Sequence, residues 1–244
     1  MSESADYRYF KYRTVNKRLI ESLVGSHLHF SKPDKLNDPF DCRLDLRGSF
    51  FRAGSSATGR RRTWLESALN QGEKFFETCE QTFANLGICS FSLDLLATLM
   101  WSHYADEHRG VCLLYRFPES FFLDAKNNIF GVDKVRYCDD SLTDWLTNDA
   151  PMELIKFLSE FPKIYLTAKS PAWRYEGEAR VIRTDEGLLN IPCGFLEQVC
   201  FGLRTPQADI ELVMKLATDY CGCKQFCRIV RDQNSDFGIT AVEL

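Results

Sequence analysis

Long apolar runs are missing from this chain. None of its 244 residues lies in a stretch approaching the roughly 20 that a membrane helix needs. The opening residues Met1 to Arg13 are polar and aromatic, without the apolar centre of a secretory leader. The reading is a soluble, cytoplasmic chain with no membrane partner. An excess of positive charge is missing too: 30 Lys and Arg stand against 34 Asp and Glu, a net charge of −4. That excludes a whole-chain electrostatic grip on nucleic acid or anionic lipid, although a local basic groove would escape such a count. GxGxxG after a strand, GxxxxGK[ST], GxSxG and HExxH do not occur, so dinucleotide-fold dehydrogenase, P-loop, serine-hydrolase and helical zinc readings lack support. No internal repeat or low-complexity tract of useful length is present.

Cysteine is present ten times, too sparsely for a disulfide scaffold. Cys89, Cys112 and Cys200 sit in strand-like apolar runs and read as reduced core residues. Cys221, Cys223 and Cys227 cluster, but their spacing matches no common zinc pattern and no fourth ligand is evident, so no metal is expected. With 45% hydrophobic residues the chain can bury a full core, which excludes intrinsic disorder. Strand and helix patterns interleave without a clear boundary, giving a single α+β domain over residues 1–244.

The periodicities predict strands at 7–13, 27–31, 88–92, 111–117, 134–138, 178–184, 199–203, 227–230 and 239–243. Helices are expected at 16–24, 63–86, 93–105, 153–168 and 206–220, the last capped by Thr205 with Pro206 in its first position. GSFFRAGSSATGRRR, residues 48–62, reads as a solvated loop whose Arg60, Arg61 and Arg62 have a phosphate contact as the alternative to simple solvation. KPDKLNDPFD, residues 32–41, reads as a structured polar loop of side-chain-capped turns.

Two segments carry chemistry-bearing residues. In WRYEGEARVI, residues 173–182, an extended strand would put Arg174, Glu176, Glu178 and Arg180 on one face. Two carboxylates beside a glycine could steady a developing cation, and a ladder of surface ion pairs is the rival reading. In ICSFSLDLLATLMWSHYADEH, Ser90 and Ser92 share a strand face. Ser92 serves either as a helix cap or as a ligand to a sugar hydroxyl. Trp101 and Tyr104 offer flat surfaces for stacking, with core packing as the default. His103 lies on the inward helix face, where a hydrogen bond to Asp106 competes with a catalytic role. His27 and His29 share a strand face and read as an exposed polar edge. A hydrolase acid/base pair made from Glu176 and Glu178 is disfavoured, because neighbours on one strand face do not flank a scissile bond.

Taken in order, KYRT (11–14), FSKPDKLNDPFD (30–41), MWSHYADEHRG (100–110) and WRYEGEAR (173–180) resemble a prokaryotic family of unknown function. That family is marked by an opening KYR, an FNDPFD loop, an MWSHYAD helix and a YExExR strand; here Leu36 replaces the phenylalanine before Asn37. The chain also resembles the mono-ADP-ribosyltransferase superfamily, whose sites combine a first-strand arginine, an S-x-S strand and an E-x-E strand. Arg13, Ser90 with Ser92, and Glu176 with Glu178 match in that order, although the S-T-S threonine is lacking and the NDPFD loop has no counterpart. This resemblance implies mixed, largely antiparallel, split sheets flanked by helices, with NAD as substrate and a protein or nucleic acid as acceptor. Arg13 would clamp the NAD pyrophosphate or ribose, and Ser90 and Ser92 would orient the ribose. Trp101, His103 and Tyr104 would complete the cofactor-binding set. Glu178 would stabilise the oxocarbenium-like transition state and Glu176 would steer the acceptor. An NAD glycohydrolase, a defence or toxin effector, or a non-catalytic nucleotide- or protein-binding module are the functions to weigh.

Overall fold

A computed structural model of the chain describes residues 6–244. The first half runs β1 (Asp6–Arg13), α1 (Lys17–Val24), β2 (His27–Phe30), α2 (Leu46–Ser56), α3 (Gly59–Leu69), α4 (Glu73–Ala84), β3 (Gly87–Ser92), α5 (Thr98–Tyr104) and β4 (Val111–Pro118). Next come α6 (Glu119–Leu123), β5 (Ile129–Lys134), β6 (Arg136–Tyr137), α7 (Ser141–Asn148), α8 (Leu154–Thr167) and β7 (Ala168–Lys169). A 3-10 turn (Pro171–Glu176) then leads into β8 (Glu178–Arg183), β9 (Gly187–Asn190), β10 (Leu196–Phe201), α9 (Gln207–Cys221), β11 (Gln225–Arg231) and β12 (Ile239–Glu243). Among the described residues no helix is long and apolar enough to cross a membrane.

Eight strands form one sheet in the order β12-β11-β10-β4-β1-β3-β8-β5, antiparallel except for β10 with β11. The fold is therefore α+β with a mostly antiparallel sheet flanked by helices, as the sequence pattern implies. Side-chain alternation distributes each strand between two faces. Tyr9, Cys89, Phe91, Leu113, Val181 and Val199 pack on one face beneath α1 and α9. On the other face, Tyr12, Cys112 and Cys200 meet α5, while Ile88 and Ile182 meet the layer formed by α2, α3, α4, α7 and α8.

The sheet comes apart at its centre. β1 pairs with β4 along its whole length, yet meets β3 only at Phe10 and Ser92. At its other end β3 pairs with Ser31, just beyond β2, through the Ile88 amide and carbonyl. Ile88, Ser90 and Ser92 aim their backbone groups at the same edge, so Ser90 lies over the gap between two partners. Its carbonyl accepts from Lys11 Nζ at 2.8 Å instead.

Several expectations need correction. Residues 48–62 are helical rather than a loop, apart from Ala57 and Thr58 between α2 and α3: Asp45 Oδ1 caps α2 through the Gly48 amide, Phe50 is fully buried, and Gly54 is buried on the inner face of α2. Arg61 donates to the Leu146 and Ala150 carbonyls, which ties it to α7 and the turn after it, and Arg62 pairs with Glu66 one turn along its own helix. The expected helix at 63–86 breaks at Gly72, whose φ of 80° is left-handed and ends regular α-structure. The helix expected from Leu93 begins at Thr98, because the Ser92 and Asp94 side chains accept the Asp94 and Leu96 amides and hold a local turn. Thr205 does not cap α9; its hydroxyl donates to the Gly110 and Gly202 carbonyls. Cys221 and Cys223 donate to separate carbonyls, of Leu23 and of Glu197 or Gln225.

Phe50 meets Trp64, Phe76, Phe157 and Phe161, so it joins four helices. Phe50→Ala should lower the unfolding free energy by about 3–5 kcal/mol, measured in urea, through lost burial and the cavity left behind.

Candidate functional site

The segment around the E-x-E motif is not one extended strand. Ser170 caps a 3-10 turn over Pro171–Glu176, Gly177 follows at φ 49°, and only then does β8 begin. Glu176 therefore joins Glu178 through a left-handed glycine and not through a period of two. Arg174 leaves the group altogether and donates to the Tyr137 carbonyl at the surface. The end of β3 clamps this turn: Ser92 Oγ donates to the Glu176 carbonyl at 2.8 Å and the Leu93 amide to the Gly177 carbonyl at 2.9 Å. The Glu178 amide donates to Tyr137 Oη at 2.8 Å.

Glu178 is 5% exposed and faces Arg180, which is 0% exposed, and Lys169, which is 7% exposed. Glu178 Oε1 accepts from Arg180 Nε at 2.8 Å, and its Oε2 accepts from Arg180 Nη2 at 3.0 Å and Lys169 Nζ at 2.9 Å. Asp41 completes the far side, with Oδ1 and Oδ2 accepting from Arg180 Nη1 at 2.9 Å and Nη2 at 2.6 Å. The NDPFD loop delivers it: Asp38 Oδ1 holds the Phe40 amide, and the Asp41 amide donates to the Asp38 carbonyl. Glu176 is held by Lys169 Nζ on one oxygen and by Tyr104 Oη on the other, and Asn37 donates to that same phenol at 3.1 Å.

Three carboxylates thus share two cations, and their environments separate them. Burial works to raise the Glu178 pKa, but Arg180 and Lys169, helped by the Ser90 hydroxyl, overcome it and hold the group at about 2. Glu176 is pushed up by burial, which outweighs its bonds to Lys169 and Tyr104. Burial also opposes the Lys169 charge, yet Glu178 and Glu176 keep its pKa above the ordinary value. The Tyr104 phenol is pushed up, by burial first and then by Glu176.

A hollow of about 190 Å³ opens over this cluster at the gap in the sheet. Arg13, Ser90, Ser92, Tyr104, Glu176 and Glu178 all line it, with Lys11, Asn37, Asp41 and Lys169. Trp101 and His103 do not. Trp101 is fully buried against Tyr12 and donates to the Leu95 carbonyl, while His103 is exposed against Tyr175, so neither is placed to hold a ligand in the hollow. His103, expected to face inward, turns to solvent because the face on which it lies with Leu96 and Leu99 does not pack inward; both leucines are themselves exposed. Asp41, Lys169, Asn37 and Lys11 escaped the sequence reading as site residues. Asp41 stands in a motif whose capped turns were visible, whereas nothing around Lys169 in TAKSPAW distinguishes it from a surface lysine.

Residues 100–181 match the family described as "Protein of unknown function (DUF2971)". The match is to a family of unknown function, as the first resemblance implies, and it includes Met100 to Tyr104 of α5, Lys169, Glu176, Glu178 and Arg180. No curated protein and no solved structure matches the chain.

Asp41→Asn should destabilise the protein by about 3–5 kcal/mol in urea unfolding, since it strips one of two counter-charges from a buried guanidinium. Stability should also depend on acid through Glu178. Its folded pKa lies below the ordinary 4.5, so its contribution is complete above that pH and is lost as pH falls toward about 2. Glu176 has the opposite sign, because its raised pKa favours the folded state when protonated. In Glu178→Gln the fall of the urea midpoint over that window should flatten.

Proposed function

We propose that the protein consumes NAD in the manner of an ADP-ribosyltransferase, passing ADP-ribose to a macromolecular acceptor or to water. One observation carries the reading: side chains from positions 13, 90, 104, 176 and 178 line a single hollow where the sheet comes apart. Neither the order of residues nor the pattern of any one segment requires that meeting.

The chemistry fits the charges. Cleavage of the bond between ribose C1′ and the pyridinium nitrogen sends the electron pair to nicotinamide, which leaves neutral, and positive charge gathers on the sugar. A carboxylate fixed in its ionised state beforehand stabilises that charge without reorganising. Glu178 has this property, since Arg180 and Lys169 keep it ionised at neutral pH. Glu176, with its raised pKa and its bond to Tyr104, is suited to take the proton of the attacking nucleophile. Arg13 and Lys11 at the gap supply cations for the pyrophosphate. The ligand is thereby oriented, with its pyridinium toward the carboxylates and its phosphates toward the basic edge.

A second reading has its own support. Both Glu178 oxygens are already occupied by Arg180 and Lys169, as in a satisfied structural network, which favours a module that binds a nucleotide without cleaving it. Incubation of purified protein with NAD, followed by chromatography for free nicotinamide, separates the two. Turnover is expected in the parent and a fall of at least about a hundredfold in Glu176→Gln, the loss typical of a missing acid or base. A rise in melting temperature with NAD, without nicotinamide release at high protein concentration, would establish the binding module instead.

A further inference from the structure

A second depression, of about 920 Å³, adjoins the hollow and shares Lys11, Tyr12, Arg13, Leu36, Ser90 and Tyr104 with it. It extends over α1 and the turn at Pro33–Lys35, and its lining adds Arg18, His27, His29 and Lys35. Glu21 is the one carboxylate in that lining, against the four cations Lys11, Arg13, Arg18 and Lys35. Glu21 is in turn engaged by Lys17 at 3.6 Å, and Lys35 reaches Glu186 at 2.8 Å. Arg13 and Arg18 form no ion pair among the described residues. A protein of net charge −4 therefore carries a locally positive groove.

His29 reports that potential. Lys11 and Arg13 from β1, Arg18 and Glu21 from α1, Lys35 from the turn, His27 from its own strand and Ser31 just beyond it all line the groove with it; Leu188 of β9 lies across the ladder. Its ring lies 3.2 Å from Ser31 Oγ. Burial, and then Lys35, Lys11, Arg13 and Arg18, push its pKa down, with no carboxylate among the causes.

We propose that this groove is a phosphate-binding site in its own right, in which Arg13, Arg18 and Lys35 hold consecutive phosphates of a nucleotide or of a nucleic-acid strand. Guanidinium forks match phosphate oxygens in pairs, and a lysine adds a point charge. Phosphates settling there neutralise the cations that hold His29 unprotonated, so binding takes up a proton and tightens as pH falls through the imidazole range. The groove shares Arg13 and Lys11 with the pyrophosphate contacts proposed for NAD, while Arg18 and His29 line it alone, so their response tests this site apart from cleavage at Glu176 and Glu178.

The test follows the histidine ring protons of the full chain by NMR across pH, alone and with ADP or a short oligothymidylate. Either probe should raise the His29 pKa. Arg18→Ala, at an exposed position of α1 outside both cores, should weaken binding about fivefold, the scale of one exposed charge pair. Affinity that grows with oligonucleotide length and falls steeply with salt assigns the site to a strand, whereas ADP binding as well as the oligonucleotide assigns it to a nucleotide. An unmoved His29 with both probes, or Arg18→Ala binding both as the parent does, overturns the proposal.

Discussion

A guanidinium shut away from water sets the terms for the rest of this molecule. Arg180 has five N–H donors and all five are taken: Nε by Glu178, Nη1 by Asp41 and the Leu166 carbonyl, Nη2 by Asp41 and Glu178. The acceptors come from the NDPFD loop, the last turn of α8 and the first residue of β8. A buried ion pair is weak support for net stability, because desolvation offsets much of the attraction. Its effect here is on geometry. Any packing of the loop, helix and strand that leaves one of these acceptors out of place strands a buried charge, and that cost excludes alternative arrangements of the three segments around the hollow.

The same constraint divides the carboxylates. Glu178 shares both of its oxygens with Arg180, while Glu176 lies one left-handed glycine away and reaches only Lys169 and a phenol. Two acids separated by a single residue are thus driven to opposite sides of their ordinary pKa. Had the segment been a continuous strand, both would have stood on one face before the same cations. The turn at Gly177 creates the difference on which any division of labour between them rests.

The sequence made β1 legible by its alternation and β3, β4 and β10 by short apolar runs, and it placed α1 between Asn16 and Gly25. It misread residues 48–62 because glycine and serine were read as flexibility, whereas Gly48 gives its amide to the Asp45 cap and Ser49 and Gly54 are buried on the inner face of α2. It placed Arg13, Ser90, Tyr104, Glu176 and Glu178 among candidates through motifs, an aromatic surface and the resemblance to the ADP-ribosyltransferase pattern. Their convergence could not be read from any local pattern, since it depends on β1 and β3 separating. Asp41 and Lys169 were hidden for the complementary reason: a buried charge is recognised only once its partner is known, and Asp41 meets Arg180 139 residues away and pairs with Lys169 as well.

The separation of β1 from β3 has a structural cause in competition for one edge. β3 offers that edge to β1 at Ser92 and to the chain beyond β2 at Ile88, and α1 keeps those two partners apart because its buried Leu19 and Leu23 are fixed in the core below. Ser90 is left between them, with Lys11 covering its carbonyl. A sheet that closed along this edge would satisfy its backbone directly and would remove the gap through which Ser90 and the two buried glutamates line the hollow. Held open, it places paired acids at the bottom of a gap whose outer wall carries Arg13, Arg18 and Lys35. Under the proposed reading, a ligand with a cationic end and an anionic tail would meet opposite charges along one path, which ties its entry and its orientation to the break in the sheet.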